Sequence, residues 1–163
     1  MKCSEICALI EQEYGTEYAC DWDNVGLLAG RSTKEGKKIL LSLDATDEVV
    51  RMAVEGGYDM LITHHPMLFS AIKRVTDQDM NGRRLLELIR NDISYYAMHT
   101  NYDTRGMADL AARLIGLTEC AVLEEVKDGE GIGRVGKLPH PMTLRECGEK
   151  VKEAYGIPNV RLF

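Results

Sequence analysis

Three short apolar runs, each closed by a polar residue and each followed by a segment with helical periodicity, constrain the fold of this chain more than any other feature. The runs are Ile39–Leu43, interrupted only by Ser42, then Met60–Thr63, then Ser94–Met98. Runs this short and this apolar read as strands buried on both faces. Between the first two, Thr46 stands where a helix needs an N-cap and Gly56-Gly57 where it needs a stop. Between the second and third, a loop with Pro66 precedes a helix near Arg83–Arg90. After the third, Met107, Leu110, Ala111 and Leu114 share one helical face, and Gly116 ends that helix. Alternating strands and helices predict an α/β fold with a mainly parallel sheet and helices on both faces. Right-handed crossovers then bring the carboxyl ends of all three strands to one edge of the sheet.

The flanks are of other kinds. Cys3, Ile6, Cys7, Ile10 and Tyr14 predict an amphipathic helix over 3–14, stopped by Gly15. Asp21–Leu28 reads as a polar loop leading into a short apolar run. Residues 119–126 and 132–138 read as a β-hairpin turning at Asp128-Gly129. Thr143-Leu144-Arg145-Glu146 is a capping box, opening a C-terminal helix striped by Leu144, Cys147, Val151 and Ala154 and closed by Gly156. Asn159–Phe163 resembles the start of a further strand.

In open parallel sheets, ligands bind beyond the carboxyl ends of the strands. Here those ends carry Asp44, the pair His64-His65, and His99 with Asp103 four residues later; three of the four histidines fall there. Alone, each histidine would be read as a strand cap. Together they indicate metal. Neighbouring strand residues point to opposite faces and do not easily grip one ion from one side. At a strand terminus they can instead reach two ions side by side, which two-metal hydrolytic sites hold about 3.5–4 Å apart. His64 and His65 are each expected to bind one ion, with Asp103 contacting both or fixing one. Imidazole with carboxylate suits zinc, iron or manganese over calcium or magnesium. His99 is a candidate catalytic residue: a ligand, a proton carrier, or, as the preferred reading, the partner that orients Asp103. Asp44 is read first as the cap of the following helix. Three ligands do not satisfy two ions, so others are expected beyond Phe163 or on another chain. His140, between Pro139 and Pro141, is set aside.

Other chemistries find little support. The net charge of -6 argues against generic binding to nucleic acid or an anionic membrane. No apolar run reaches membrane-spanning length. Five scattered cysteines without a C-x-x-C pair read as reduced thiols in a cytoplasmic protein. Gly131-Ile132-Gly133-Arg134-Val135-Gly136 matches G-x-G-x-x-G, but it runs into Lys137-Leu138-Pro139 instead of opening a helix, so no dinucleotide site is expected. Its glycines read as hairpin geometry, with Arg134 a candidate anion contact. No Walker A sequence and no G-x-S-x-G elbow occurs.

Four stretches, Trp22–Leu27, Leu61–Pro66, His99–Asp103 and Gly131–Gly136, resemble in order the Nif-three-like family, whose members carry the name GTP cyclohydrolase I type 2 homologue. Tyr102 stands where that family is expected to have leucine. The resemblance implies a dinuclear metal site with its histidine pair on His64 and His65 and its aspartate on Asp103. It places the remaining ligands on a later H-x-x-x-E element that this sequence lacks. Residues 1–163 thus read as one Nif-three-like domain cut short before its C-terminal metal-ligand segment. The resemblance also implies a homo-oligomer, commonly a hexamer of paired trimers, and opening of the guanine ring of GTP with release of formate. Two functions follow: a metal-dependent hydrolase of a nucleotide or related heterocycle, or a non-catalytic protein that binds or delivers metal or holds a partner.

Overall fold

The protein, described over residues 1–163 by a computed structural model, divides into two units, residues 1–102 and 103–163. The first is built on a sheet of four strands: β1 (Gly26–Ala29), β2 (Ile39–Ser42), β3 (Met60–Thr63) and β4 (Ser94–Ala97), in the order β1-β4-β3-β2. Strands β2, β3 and β4 are parallel and in unbroken register, with Ser42 beside Thr63 and Thr63 beside Ala97. The predicted strand–helix repeats are therefore present.

Helices α1 (Cys3–Glu13), α2 (Asp47–Glu55) and α3 (Met80–Arg90) cover the sheet. On one face Leu61, Tyr95 and Ala97 pack with Val50 and Ala53 of α2 and Leu85 and Leu88 of α3. On the other, Met60, Ile62 and Tyr96 pack with Cys3, Ile6 and Cys7 of α1. Each fully buried leucine in such a core contributes about 1.5–3 kcal/mol. Thr46 caps α2 by accepting from the Val49 N–H at 3.2 Å, and Asp79 caps α3 by accepting from the Gly82 N–H at 2.8 Å. With Asp79 as its cap, α3 starts at Met80, ahead of the Arg83 at which the sequence places its beginning.

The structure corrects one expectation about this sheet. Strand β2 is not covered on both faces: Ile39 and Leu41 are exposed, Leu41 at 72%. They stand beside Met60 and Ile62, on the face where the α1 cluster takes in Leu27 of β1, Met60 and Ile62 of β3 and Tyr96 of β4 but no residue of β2. The segment from Asp21 runs, as expected, from a polar loop into a short apolar stretch. Its apolar end is β1, antiparallel to β4 with Gly26 opposite Ala97. A four-residue edge strand with no helix behind it lacks the strand–helix signature. Because β1 starts where β4 ends, the loop Asp21–Val25 is delivered to the carboxyl end of β4. A single helical turn, α4 (Thr100–Tyr102), closes the unit.

The second unit comprises a π-helical stretch (Asp103–Met107), α5 (Ala108–Ile115), the hairpin β5 (Thr118–Lys127) and β6 (Glu130–Lys137), and α6 (Leu144–Tyr155). The hairpin turns at Asp128 and Gly129, both left-handed (φ 53° and 79°), as a two-residue turn requires. The Thr143–Glu146 capping box forms as predicted, and Gly156 ends α6 in the left-handed conformation. The buried side of α5 differs from expectation. Ala112 is buried, while Leu110 and Leu114 are exposed. Ala108, Ala111, Ala112 and Ile115 instead face Gly133 and Arg134 of β6 across a shallow cavity. Residues 159–163 form no strand; Leu162 packs on Gly148 of α6, where an added Cβ would meet it at 2.9 Å. No helix of either unit is long and apolar enough to cross a membrane.

Candidate metal centre

The parallel register of β3 and β4 sets the site. Beyond the strands, backbone pairing continues: His65 N–H donates to the Leu43 carbonyl at 2.9 Å and Met98 N–H to the Thr63 carbonyl at 3.0 Å. The two histidines after β3 and the one after β4 are thereby brought to one place. One nitrogen from each of His64, His65 and His99 lies within 4.8 Å of the other two. The ring centroids are 5.0 Å apart for His64–His65, 5.1 Å for His64–His99 and 5.7 Å for His65–His99.

Each of the three rings has its Nδ1 committed to an oxygen. His64 Nδ1 lies 3.0 Å from the Met98 carbonyl, His65 Nδ1 2.8 Å from Asp44 Oδ1, and His99 Nδ1 3.1 Å from both carboxylate oxygens of Asp23. Carbonyl and carboxylate oxygens only accept, so Nδ1 carries the proton and donates it. In the neutral ring this leaves Nε2 as a lone pair. Imidazoles that bind metals are prepared in this way, the second nitrogen donating to a carbonyl or carboxylate. The donor set fits a divalent transition ion better than calcium or magnesium.

The three supports differ in burial. The Asp23 side chain has no solvent exposure. It accepts from the backbone N–H of Thr100 at 3.0 Å, from the Thr100 hydroxyl, and from the Asn24 N–H at 2.8 Å, besides His99. Burial pushes its carboxyl up, but the hydrogen bonds from Thr100, His99 and Asn24 outweigh that and hold it below the usual carboxylate range. Asp44 and His65 are about half exposed, so their pairing is screened by water and worth at most about 1 kcal/mol.

Of the residues singled out in the sequence, the structure brings His64, His65 and His99 together. Asp103 begins the π-helical stretch of the second unit, one residue after Tyr102. His99 gives its Nδ1 to Asp23. Asp44 does not cap α2, a role Thr46 fills; it supports His65 instead. Sequence reasoning missed Asp23, although it sits within one of the stretches that drew attention. Its role becomes visible only when β1 pairs with β4. Arg134 is not an open anion contact. Its side chain is 7% exposed, and its donors go to both oxygens of Asp109 and to the carbonyls of Gly131, Gly133 and Thr104.

A family model described as Duf34/NIF3 (NGG1p interacting factor 3) matches residues 1–163. The chain is 36% identical over 165 residues to a GTP cyclohydrolase 1 type 2 homolog of Clostridium perfringens, aligning 99% of this chain with 63% of that protein. It is 34% identical to the protein of the same name from Clostridium acetobutylicum, over 99% of this chain and 62% of the relative. The chain thus spans a little over 60% of the length of these curated relatives. Among solved structures it resembles the Staphylococcus aureus hypothetical protein SA1388, with a TM-score of 0.85 and 28% identity over 99% of this chain and 66% of that one. It also resembles reduced HcgD from Methanocaldococcus jannaschii, with a TM-score of 0.84 and 35% identity over 94% of this chain and 60% of that one.

Proposed function

Because the chain belongs to the Duf34/NIF3 family, we propose that it contributes His64, His65 and Asp103 to a dinuclear divalent-metal centre, of zinc, iron or manganese, in a hydrolase acting on a nucleotide or related heterocycle. The observation that carries this reading is the convergence of His64, His65 and His99 at one sheet edge, one nitrogen of each within 4.8 Å of the others, with every Nδ1 facing a carbonyl or carboxylate oxygen. The relatives' name, GTP cyclohydrolase 1 type 2 homolog, supports the substrate class. When bound, divalent ions supply Lewis-acid activation of water for hydrolysis. His64 and His65 are the imidazole ligands, one for each ion, and Asp103 is the carboxylate. His99 is the proton carrier at Nε2. Of the three rings, it alone is backed by a buried carboxylate, which supports an imidazolium once the proton is taken up.

The test compares metal per chain, by elemental analysis, with turnover of a nucleotide and heterocycle panel. It uses this chain and a form extended to the length of its relatives. Replacing His64 and His65 together by alanine should remove the metal. His99→Gln should keep the metal and abolish turnover. If His99→Gln loses metal as the histidine pair does, its assignment as proton carrier is wrong. Stoichiometric metal without turnover on any substrate would favour the second reading, a non-catalytic metal-binding or metal-delivery protein. No stoichiometric metal in either form defeats both. Light scattering on the same samples tests the homo-oligomer expected for the family.

A further inference from the structure

Beside the histidine group stand two large aromatic side chains that the fold does not bury. Trp22, the single tryptophan of the chain, is 60% exposed, and Phe69 is 49% exposed. Their ring centroids are 5.9 Å apart with planes at 51°. Trp22 also meets His99 at 6.2 Å, with planes at 73°, an edge-type contact.

Their backbones are anchored. Trp22 precedes Asp23, which is tied to His99 and Thr100. The Asn24 side-chain amide donates to the Leu68 carbonyl, the residue before Phe69. One short loop thus holds both aromatics against the carboxyl end of the sheet. Keeping an indole half in water forgoes a large apolar gain, since an aromatic side chain buries 150–250 Å² in a typical core. Two adjacent exposed aromatic rings on an anchored loop, next to a polar cluster, make a contiguous apolar surface suited to binding.

We propose that Trp22 and Phe69 form the wall on which a flat heteroaromatic ring stacks, presenting that ring to His99 and the paired histidines. The inference rests on the hydrolase reading above and deepens it: the ligand is gripped by its base and not by its sugar or phosphate. Aromatic side chains prefer offset stacking on another π-face. A flat ring is the occupant that uses an open indole face beside a polar cluster most fully. Stacking of this kind tolerates any base, so the wall selects flat rings as a class.

The single tryptophan makes the test direct. The chain is titrated with guanosine and, separately, with ribose 5-phosphate, following tryptophan emission. Metal content is measured on the same samples. Saturable quenching by guanosine, with none by ribose 5-phosphate, is expected. Phe69→Ala should weaken guanosine binding by about fivefold or more, the effect of losing one stacking side chain. Equilibrium dialysis, which needs no tryptophan, should show the same loss for Trp22→Leu and retention for Trp22→Phe. Circular dichroism checks that these surface variants fold. No quenching by guanosine, equal quenching by ribose 5-phosphate, or unchanged binding in Phe69→Ala and Trp22→Leu would overturn the proposal. A chain that binds metal but not guanosine sinks only the stacking wall. A chain that binds guanosine but no metal sinks only the metal centre.

Discussion

Asp23 and His99 meet through both oxygens of a carboxylate that no solvent reaches, each 3.1 Å from the His99 Nδ1. Asp44 and His65 make the same kind of bond, at 2.8 Å, on the surface. The pairs share their chemistry and differ in burial, which should separate their energetic weights. Asp23→Ala leaves the Thr100 N–H, the Thr100 hydroxyl and the His99 ring without an acceptor and should cost about 3 kcal/mol. Asp44→Ala should stay within about 1 kcal/mol of the parent. Urea unfolding of the two variants measures both, and equal losses would contradict the burial argument.

Cys7 offers a pH dependence away from the site. Burial, aided by the nearby charge of Glu11, pushes its thiol up from 9.0 to about 11. A group whose folded pKa is raised holds its proton longer in the native state than in the unfolded state. Its contribution to stability is complete below pH 9 and is lost as pH rises toward 11. The denaturation midpoint should therefore fall across that interval, and Cys7→Ser should flatten the fall. At neutral pH, iodoacetamide should label exposed Cys120 and spare buried Cys3 and Cys7 until the chain is unfolded.

Arg134 spends every donor of its fork on the second unit: Nε and Nη2 on Asp109, Nη1 on the Gly131 and Gly133 carbonyls, and Nη2 also on the Thr104 carbonyl. A lysine ammonium cannot reproduce that planar set. Arg134→Lys should destabilise the second unit by about 2–3 kcal/mol. The expected readout is faster amide exchange along β6. Protection equal to the parent would show that the network carries little weight.

Thr104 is buried, and its hydroxyl has no hydrogen-bond partner. Leaving such a group unsatisfied costs about 1–3 kcal/mol. Thr104→Val keeps the shape and removes the orphan, so thermal stability should hold or rise. A drop in Tm would mean that the hydroxyl is satisfied in solution.

What was legible in the sequence is what a local signal carries. Met60–Thr63 is legible to the residue because only Tyr58 and Asp59 separate the apolar run from a glycine stop, and α6 because its capping box and closing Gly156 are both local. His64, His65 and His99 were legible because parallel strands deliver their ends to one edge whatever the strand order. The rest depended on partners distant in sequence. Strand β1 needs β4 to be recognised, and Asp23 needs β1. Leu110 and Leu114 follow helical spacing, yet Ala108, Ala111 and Ala112 are what α5 presents to the glycine-rich β6. Arg134 gave no sign that Asp109 and three carbonyls would take it up.

The antiparallel pairing of β1 with β4 also sets a timetable. Asp23 leaves the ribosome 76 residues before His99. At about 5–20 residues per second, that is a wait of roughly 4–15 seconds. Throughout it β1 has no neighbour, because its only partner in the sheet is the last strand of the first unit to be made. The buried carboxylate and its imidazole are thus among the last groups of that unit to meet.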